Sequence, residues 1–348
     1  MKFTRKILKG VEGYVPGEQP QRTDVIKLNT NENPYPPSPK VMEALRSLSQ
    51  DALVKYPDPV SGKFRRECAM QYGYPGEDWV IAGNGMDEVL AMTIRTFVDP
   101  GDSILTTDPT YTLYETLADL HGAKTVKVEL DAEFQLPESF YTAPARACFI
   151  TRPNAPSGVC APRAAMERLC KNFNGIVVID EAYVDFADDN CMDFPERFDN
   201  VIVARTFSKS YSLAGMRLGI GVARPEIIAE YIKTKDSYNM NAVAQAVGIA
   251  AMEDMPHMQA NVEKVRATRL RTIQELTTLG FQIPPSQSNF ILACWQGAPT
   301  ARGIFERLRD RGIYVRYFDT PRLKDALRIT IGTDKQMEAL LNAIREII

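Results

Sequence analysis

The sequence predicts an α/β protein in two parts, a larger domain built on a mostly parallel sheet and a smaller α+β domain at the C-terminal end. Three observations predict it. From residue 41 to about 225, short apolar runs alternate with amphipathic stretches, as when buried strands hand over to covering helices. After about residue 237 the rhythm changes to one long helical stretch followed by a separate group of strands and helices. The length, 348 residues, exceeds a single average domain of roughly 150 residues. The chain therefore reads as an arm over 1–40, a large domain over 41–236 and a small domain over 237–348.

The arm is rich in Pro, Asn and Gly, most densely at Asn31-Glu32-Asn33-Pro34-Tyr35-Pro36-Pro37, which predicts an extended segment with little regular structure of the kind that wraps a neighbour. In the large domain the pattern predicts strand 79–82, helix 87–97, strand 103–106, helix 111–120 and strand 125–128, with further strands at 147–151, 175–180 and 201–205. In the small domain it predicts a long helix over 257–279 stopped by Gly280, then strand 289–294, helix 300–311 and strands 313–317 and 327–331. A last helix opens on the capping box Thr333-x-x-Gln336. There is no internal repeat and no low-complexity tract.

Composition narrows the function. With 45% hydrophobic and 24% charged residues the chain is neither disordered nor collagen-like. A net charge of -3 without a dense basic stripe excludes nucleic acid as the expected partner and favours a small molecule. The six cysteines, Cys68, Cys148, Cys160, Cys170, Cys191 and Cys294, show no C-x-x-C spacing and no nearby histidine, so they read as reduced core thiols with no metal site. No apolar segment follows Met1-Lys2-Phe3-Thr4-Arg5-Lys6, and the longest mainly apolar stretch, 240–252, is too short to span a bilayer, so a cytoplasmic protein is expected. With only His121 and His257 available, both outside any reactive cluster, lysine becomes the natural acid-base candidate.

Five segments could carry chemistry. Thr206-Phe207-Ser208-Lys209-Ser210-Tyr211 directly follows an apolar strand, which points Lys209 into the crevice where open α/β sheets bind ligands and where it can form a Schiff base. A surface lysine in a polar loop has the same local pattern. The strand at 175–180 ends in Asp180-Glu181-Ala182-Tyr183, so Asp180 could hold a heteroaromatic N–H or simply cap a helix. Gly83-Asn84-Gly85-Met86-Asp87-Glu88 joins a strand to a helix and suits a phosphate or a tight turn; Glu88 stands where a dinucleotide fingerprint needs glycine. Tyr111, in Pro109-Thr110-Tyr111, could lie over a flat cofactor or in the core. Asn154, in Arg152-Pro153-Asn154-Ala155-Pro156-Ser157-Gly158, could donate to a phenolate oxygen or belong to a Pro/Gly turn.

Taken in order along one sheet, these segments resemble the fold-type I aminotransferases that use pyridoxal 5'-phosphate (PLP), most closely those of the histidinol-phosphate type, over nearly the whole chain. The resemblance also rests on Lys27-Leu28-Asn29-Thr30-Asn31-Glu32-Asn33-Pro34-Tyr35, Tyr56-Pro57-Asp58, Asp108-Pro109-Thr110-Tyr111, Val184-Asp185-Phe186, Arg217 and Arg328-Ile329-Thr330-Ile331-Gly332-Thr333. It implies that Lys209 holds PLP covalently, Asp180 pairs with the ring nitrogen, Asn154 and Tyr183 bond the phenolate oxygen, and Tyr111 stacks on the ring. The phosphate would meet backbone amides at Gly85, Met86 and Asp87, the hydroxyls of Thr206 and Ser208, and Arg217, with Tyr56 reaching in from the other subunit of a homodimer. Arg328 would receive the substrate's anionic group with Arg316 assisting, and Tyr14 would close over the substrate.

The implied reaction moves the amino group of L-histidinol phosphate to 2-oxoglutarate in histidine biosynthesis, with Lys209 carrying the proton at the substrate Cα. An aromatic-amino-acid aminotransferase or a threonine-phosphate decarboxylase would share the same cofactor residues; a PLP-binding regulator would be expected to add a DNA-binding extension. One position departs from the family's pattern: Arg152 stands where asparagine is usual, a charge to which the resemblance gives no role.

Overall fold

A computed structural model describes residues 3–22 and 24–348. Twelve strands are numbered in chain order: β1 Ile26–Lys27, β2 Val80–Asn84, β3 Ser103–Asp108, β4 Lys124–Glu129, β5 Ala147–Thr151, β6 Ile176–Asp180, β7 Val201–Thr206, β8 Leu218–Val222, β9 Phe290–Cys294, β10 Ile313–Tyr314, β11 Arg316–Tyr317 and β12 Ala326–Thr330. Seven of them form the central sheet in the order β2-β8-β7-β6-β5-β3-β4, parallel except for β8, which runs antiparallel to both its neighbours.

Period-two alternation explains why this sheet is covered on both faces. Phe149, Val178, Ile202 and Ala204 point to one side, where they pack with Val89 and Leu90 of helix Met86–Phe97, Tyr114 and Ala118 of helix Leu113–His121, and Tyr231 of helix Pro225–Thr234. Cys148, Ile150, Val177, Ile179 and Val203 point to the other, against Phe64, Met166 and Leu169. The six cysteines are free, four of them buried, and no group of metal-ligating side chains exists among the described residues. Among them, no helix is long and apolar enough to cross a membrane.

The second sheet is antiparallel with order β11-β12-β9, backed by helices Met255–Thr278, Ala301–Asp310 and Asp334–Ile347. The last helix opens with the expected capping box at Thr333 and Gln336. Two details differ from the sequence expectation. The run 313–317 is split at Val315, because β10 pairs in parallel with β1 of the arm while β11 pairs with β12. The helix Ala242–Met252, grouped by composition with the small domain, lies against helices Pro39–Ser47 and Gly62–Gln71, close enough that a Cβ on Gly248 would meet Phe64 at 2.5 Å.

Candidate active site

The C-terminal ends of the parallel strands open into a crevice of about 1200 Å³, walled on the far side by the arm and the second sheet. Backbone topology puts the chemistry there: at the end of each parallel strand the chain leaves the sheet, and the first polar residues after the apolar run face the opening.

β7 delivers Lys209. The Thr206 hydroxyl accepts the Ser208 N–H at 3.1 Å, and Phe207 N donates to Leu218 O at 3.0 Å, which turns the chain so that Lys209 enters the crevice. Its Nζ donates to Thr30 O at 3.1 Å. Withdrawal from water first, and the nearby Arg328 cation next, lower the Lys209 pKa to about 8, while Glu32 and Asp87 pull the other way. A lysine so placed is a better nucleophile and base near neutrality than an exposed one.

β6 delivers Asp180, whose side chain is fully buried. Its carboxylate accepts from the Tyr114 hydroxyl and from Ala182 N at 3.0 Å, and burial pushes its pKa up to about 6. The neighbouring Glu181 points away from the crevice into a buried charge cluster: Arg205 Nε donates to it at 2.9 Å and Arg152 Nη1 lies at 3.9 Å. Arg152 itself is 1% exposed, donates to Ala161 O at 2.8 Å and pairs with Asp189. The charge at position 152 is therefore spent inside the protein, where an asparagine could not offset Glu181.

β2, β8 and the following helix build an anion-binding corner. Gly85 takes φ +88° ahead of helix Met86–Phe97, and a Cβ there would meet Arg217 Nη2 at 2.5 Å, so only glycine lets the guanidinium approach the helix N-terminus. Arg217 Nη1 lies 3.4 Å from Ser208 Oγ, and its Nη2 reaches Asp87 at 3.3 Å in a half-exposed pair. Tyr111 donates to the other Asp87 oxygen at 3.2 Å and meets Tyr14 of the arm edge-on at 5.6 Å.

The far wall carries the two arginines. Arg316 and Arg328 stand directly opposite each other in the β11–β12 ladder, and both line the crevice. Neither forms a salt bridge among the described residues. Arg328 Nη2 donates to Asn29 O at 2.9 Å, but its Nε is buried without a hydrogen-bond partner. Withdrawal from water lowers the Arg328 pKa; Tyr183 pulls it upward and Arg316 downward. Two like charges opposite each other on the crevice wall suit an anion.

Twelve of the fifteen singled-out residues line the crevice: Tyr14, Met86, Asp87, Tyr111, Asp180, Tyr183, Thr206, Ser208, Lys209, Arg217, Arg316 and Arg328. Gly85 sits behind the anion corner. Asn154 is not among the lining residues: it accepts from Ser157 Oγ at 2.7 Å within its own turn and donates to Pro109 O, after β3, at 3.1 Å. Tyr56 is 81% exposed and stacks on Tyr238 at 4.5 Å, outside the crevice. Sequence reasoning missed Asn31, whose amide donates to Tyr183 Oη at 3.1 Å, and Tyr114 behind Asp180. Only the spacing of Tyr114 from Tyr111, three residues along one helix face, hinted at the latter.

Comparison with known proteins agrees with this geometry. A sequence model of the family described as aminotransferase class I and II matches residues 23–344. The histidinol-phosphate aminotransferase of Rippkaea orientalis is 46% identical over 346 residues, covering 99% of this chain and 98% of that protein. That of Synechocystis is 45% identical over 342 residues, covering 98% and 97%. Among solved structures, histidinol-phosphate aminotransferase from Sinorhizobium meliloti in complex with pyridoxal-5'-phosphate superposes with a TM-score of 0.86 at 27% identity, covering 92% of this chain and 90% of that one. A half-buried lysine and a buried carboxylate at neighbouring strand ends, inside a chain that matches over nearly its whole length, lead to one conclusion: the protein belongs to the class I and II aminotransferases, with the fold-type I architecture.

Proposed function

We propose that this protein transfers the amino group of L-histidinol phosphate to 2-oxoglutarate, giving imidazole acetol phosphate and L-glutamate, as a cytoplasmic step of histidine biosynthesis. The names of its relatives support the reaction. The observation that carries the substrate is the opposed pair Arg316 and Arg328 at the crevice wall, free of carboxylate partners among the described residues.

The residues present fit PLP. Gly85 leaves space that a Cβ would fill, beside Arg217, the Ser208 hydroxyl and the first amides of a helix, which suits the phosphate. Asp180 offers a buried carboxylate to a ring N–H, and Tyr183, which lines the crevice, could meet the phenolate oxygen; Asn154 would do so only by giving up its bond to Pro109 O. The bound cofactor would supply an electron sink for the carbanion at the substrate Cα. Lys209 would hold the cofactor, and its Nζ would take the proton from the substrate Cα. A pKa near 8 lets that amine accept a proton at neutral pH and give it back. Arg328 and Arg316 orient the donor's phosphate and the acceptor's carboxylate so that the Cα–H faces Lys209.

The same reading makes the protein a homodimer in which Tyr56 completes the partner's phosphate site. Exposed Leu53, Val54 and Tyr56 form an apolar patch suited to burial against a second copy. Mixing an inactive Tyr56 variant with an inactive Lys209 variant should restore some activity, and no recovery after verified subunit exchange would remove Tyr56 from the site. The reaction is tested by a half-reaction screen that follows cofactor absorbance with histidinol phosphate, phenylalanine, tyrosine and threonine phosphate. A clear preference for the aromatic amino acids, or carbon dioxide release from threonine phosphate, would overturn the substrate and leave the cofactor assignment standing.

A further inference from the structure

We infer that Tyr114 is a positioning residue for Asp180, ending a chain of three hydroxyls, Thr110, Thr151 and Tyr114, that keeps the Asp180 carboxylate ionised and aimed into the crevice. The inference rests on the aminotransferase reading, in which Asp180 meets the cofactor's ring nitrogen.

The proton positions follow from counting donors. A phenol has one proton, and the Tyr114 hydroxyl gives it to Asp180 Oδ2. Its 2.8 Å contact with Thr151 Oγ1 must then be filled by the threonine's proton. Thr151 Oγ1 in turn lies 3.4 Å from Thr110 Oγ1, which supplies the next proton in the same direction. All three dipoles point at the carboxylate, and such chains strengthen one another in a dry interior. Thr110 and Thr151 line the crevice, whereas Tyr114 is fully buried behind it.

Nothing else nearby can do this work. Among the described residues Asp180 has no salt-bridge partner; Asp87 and Glu181 both disfavour its charge, and Tyr183 is neutral. The adjacent strands do carry cations, but Arg152 is turned to Asp189 and Glu181, and Arg205 to Glu181 and Asp185. Lys209 is bonded to Thr30 across the opening. Among the described residues, the Tyr114 hydroxyl and Ala182 N are the groups that offset burial, and Tyr114 is the larger of the two contributions that lower the Asp180 pKa. The ring of Tyr114 also packs edge-on against Tyr111 at 5.6 Å and tilted against Phe149 at 5.4 Å, so phenylalanine preserves its packing while removing the donor.

The test measures PLP affinity of the apoprotein by equilibrium dialysis across about pH 5 to 9, with absorbance of the bound cofactor as a second readout. In the wild type, affinity should fall as pH drops through about 6, where Asp180 gains a proton. Tyr114→Phe should move that break upward by roughly one to two pH units, the equivalent of losing one hydrogen bond to a charged group. Thr151→Val should move it the same way by less, and Asp180→Asn should abolish it. A Tyr114→Phe protein that melts like the wild type and breaks at the same pH overturns the inference, as does a break that survives in Asp180→Asn. If Tyr114→Phe does not fold, Thr151→Val decides, and an unshifted break there is fatal. Failure of the wild type to take up PLP at any pH would instead bring down the cofactor reading itself, and this inference with it.

Discussion

The two walls of the crevice are made differently. The cofactor wall is contributed by strand ends of one sheet, each a short contiguous motif, and its polar residues are already bonded to protein partners, within a motif or across to another: Asp180 to Tyr114, Thr206 to Ser208, Arg217 to Asp87. The substrate wall is gathered from distant places, with Tyr14 from the arm, Asn29 and Thr30 from around β1, Arg316 from β11 and Arg328 from β12. Its charges are left facing each other without a counterion among the described residues. A wall that is satisfied before binding can be rigid, whereas a wall holding unpaired arginines is completed by the ligand, which ties ligand charge to affinity. Changes on the cofactor wall should therefore act on every substrate alike, and changes on the substrate wall should discriminate.

Lys209→Ala should have the largest effect, abolishing turnover and the covalently held cofactor's visible absorbance for every amine offered. Retention of a borohydride-reducible PLP adduct in that variant would falsify the assignment. The complementary measurement uses the wild-type apoprotein: trapping of Lys209 by an aldehyde and borohydride should rise as pH passes about 8, well before exposed lysines respond. The sign follows from burial, which favours the neutral amine, so reactivity lies above the lowered pKa and is lost below it. Asp180→Asn comes next, with kcat down by about 10²–10³ for all substrates and PLP still bound, because an amide cannot hold the ring nitrogen protonated. Near-normal kcat would show that another group supplies that charge.

The same contrast explains what could be read from the sequence. Lys209 and Asp180 were visible because a strand's apolar run and its polar end are adjacent in the chain. β8 was not, because Leu218-Gly219-Ile220-Gly221-Val222 is too rich in glycine to read as a strand. Those glycines are there for packing: a Cβ on Gly219 would lie 2.3 Å from Met86 N, so the anion corner needs a bare strand beside it. The split at Val315 was invisible because it depends on a partner, β1, almost the whole chain away. Arg152 was a charge without a role until the buried Glu181 beside it was seen. Tyr114 is apolar by pattern and polar by position, a distinction that only the fold supplies.

On the substrate wall, Arg328→Lys should damage both half-reactions, since donor phosphate and acceptor carboxylate would share one guanidinium fork. The loss should be about 1.5–3 kcal/mol, roughly ten- to a hundredfold in kcat/KM, as a planar bidentate donor gives way to a point charge. A loss confined to one half-reaction would mean that the two anions use different sites, and the picture of a shared wall would fail.

Arg316→Ala should have the smallest effect and the most selective one. Arg316 is partly exposed and stacks on Phe318 at 5.2 Å, opposite the deeper Arg328, so it acts on the ligand through charge more than through fixed geometry. A phosphate carries nearly twice the charge of a carboxylate, so its removal costs the donor more than the acceptor. Near a protein surface that difference is worth about 1 kcal/mol after solvent screening, or roughly fivefold in kcat/KM. It should shrink as ionic strength rises, because the Debye length falls from about 10 Å at 0.1 M salt to about 3 Å at 1 M. Melting temperature should not fall, since the variant also relieves repulsion on Arg328. Measuring both half-reactions at low and high salt separates the possibilities. Equal losses on histidinol phosphate and 2-oxoglutarate, unaffected by salt, would mean that Arg316 supports the wall's shape and does not read the ligand's charge.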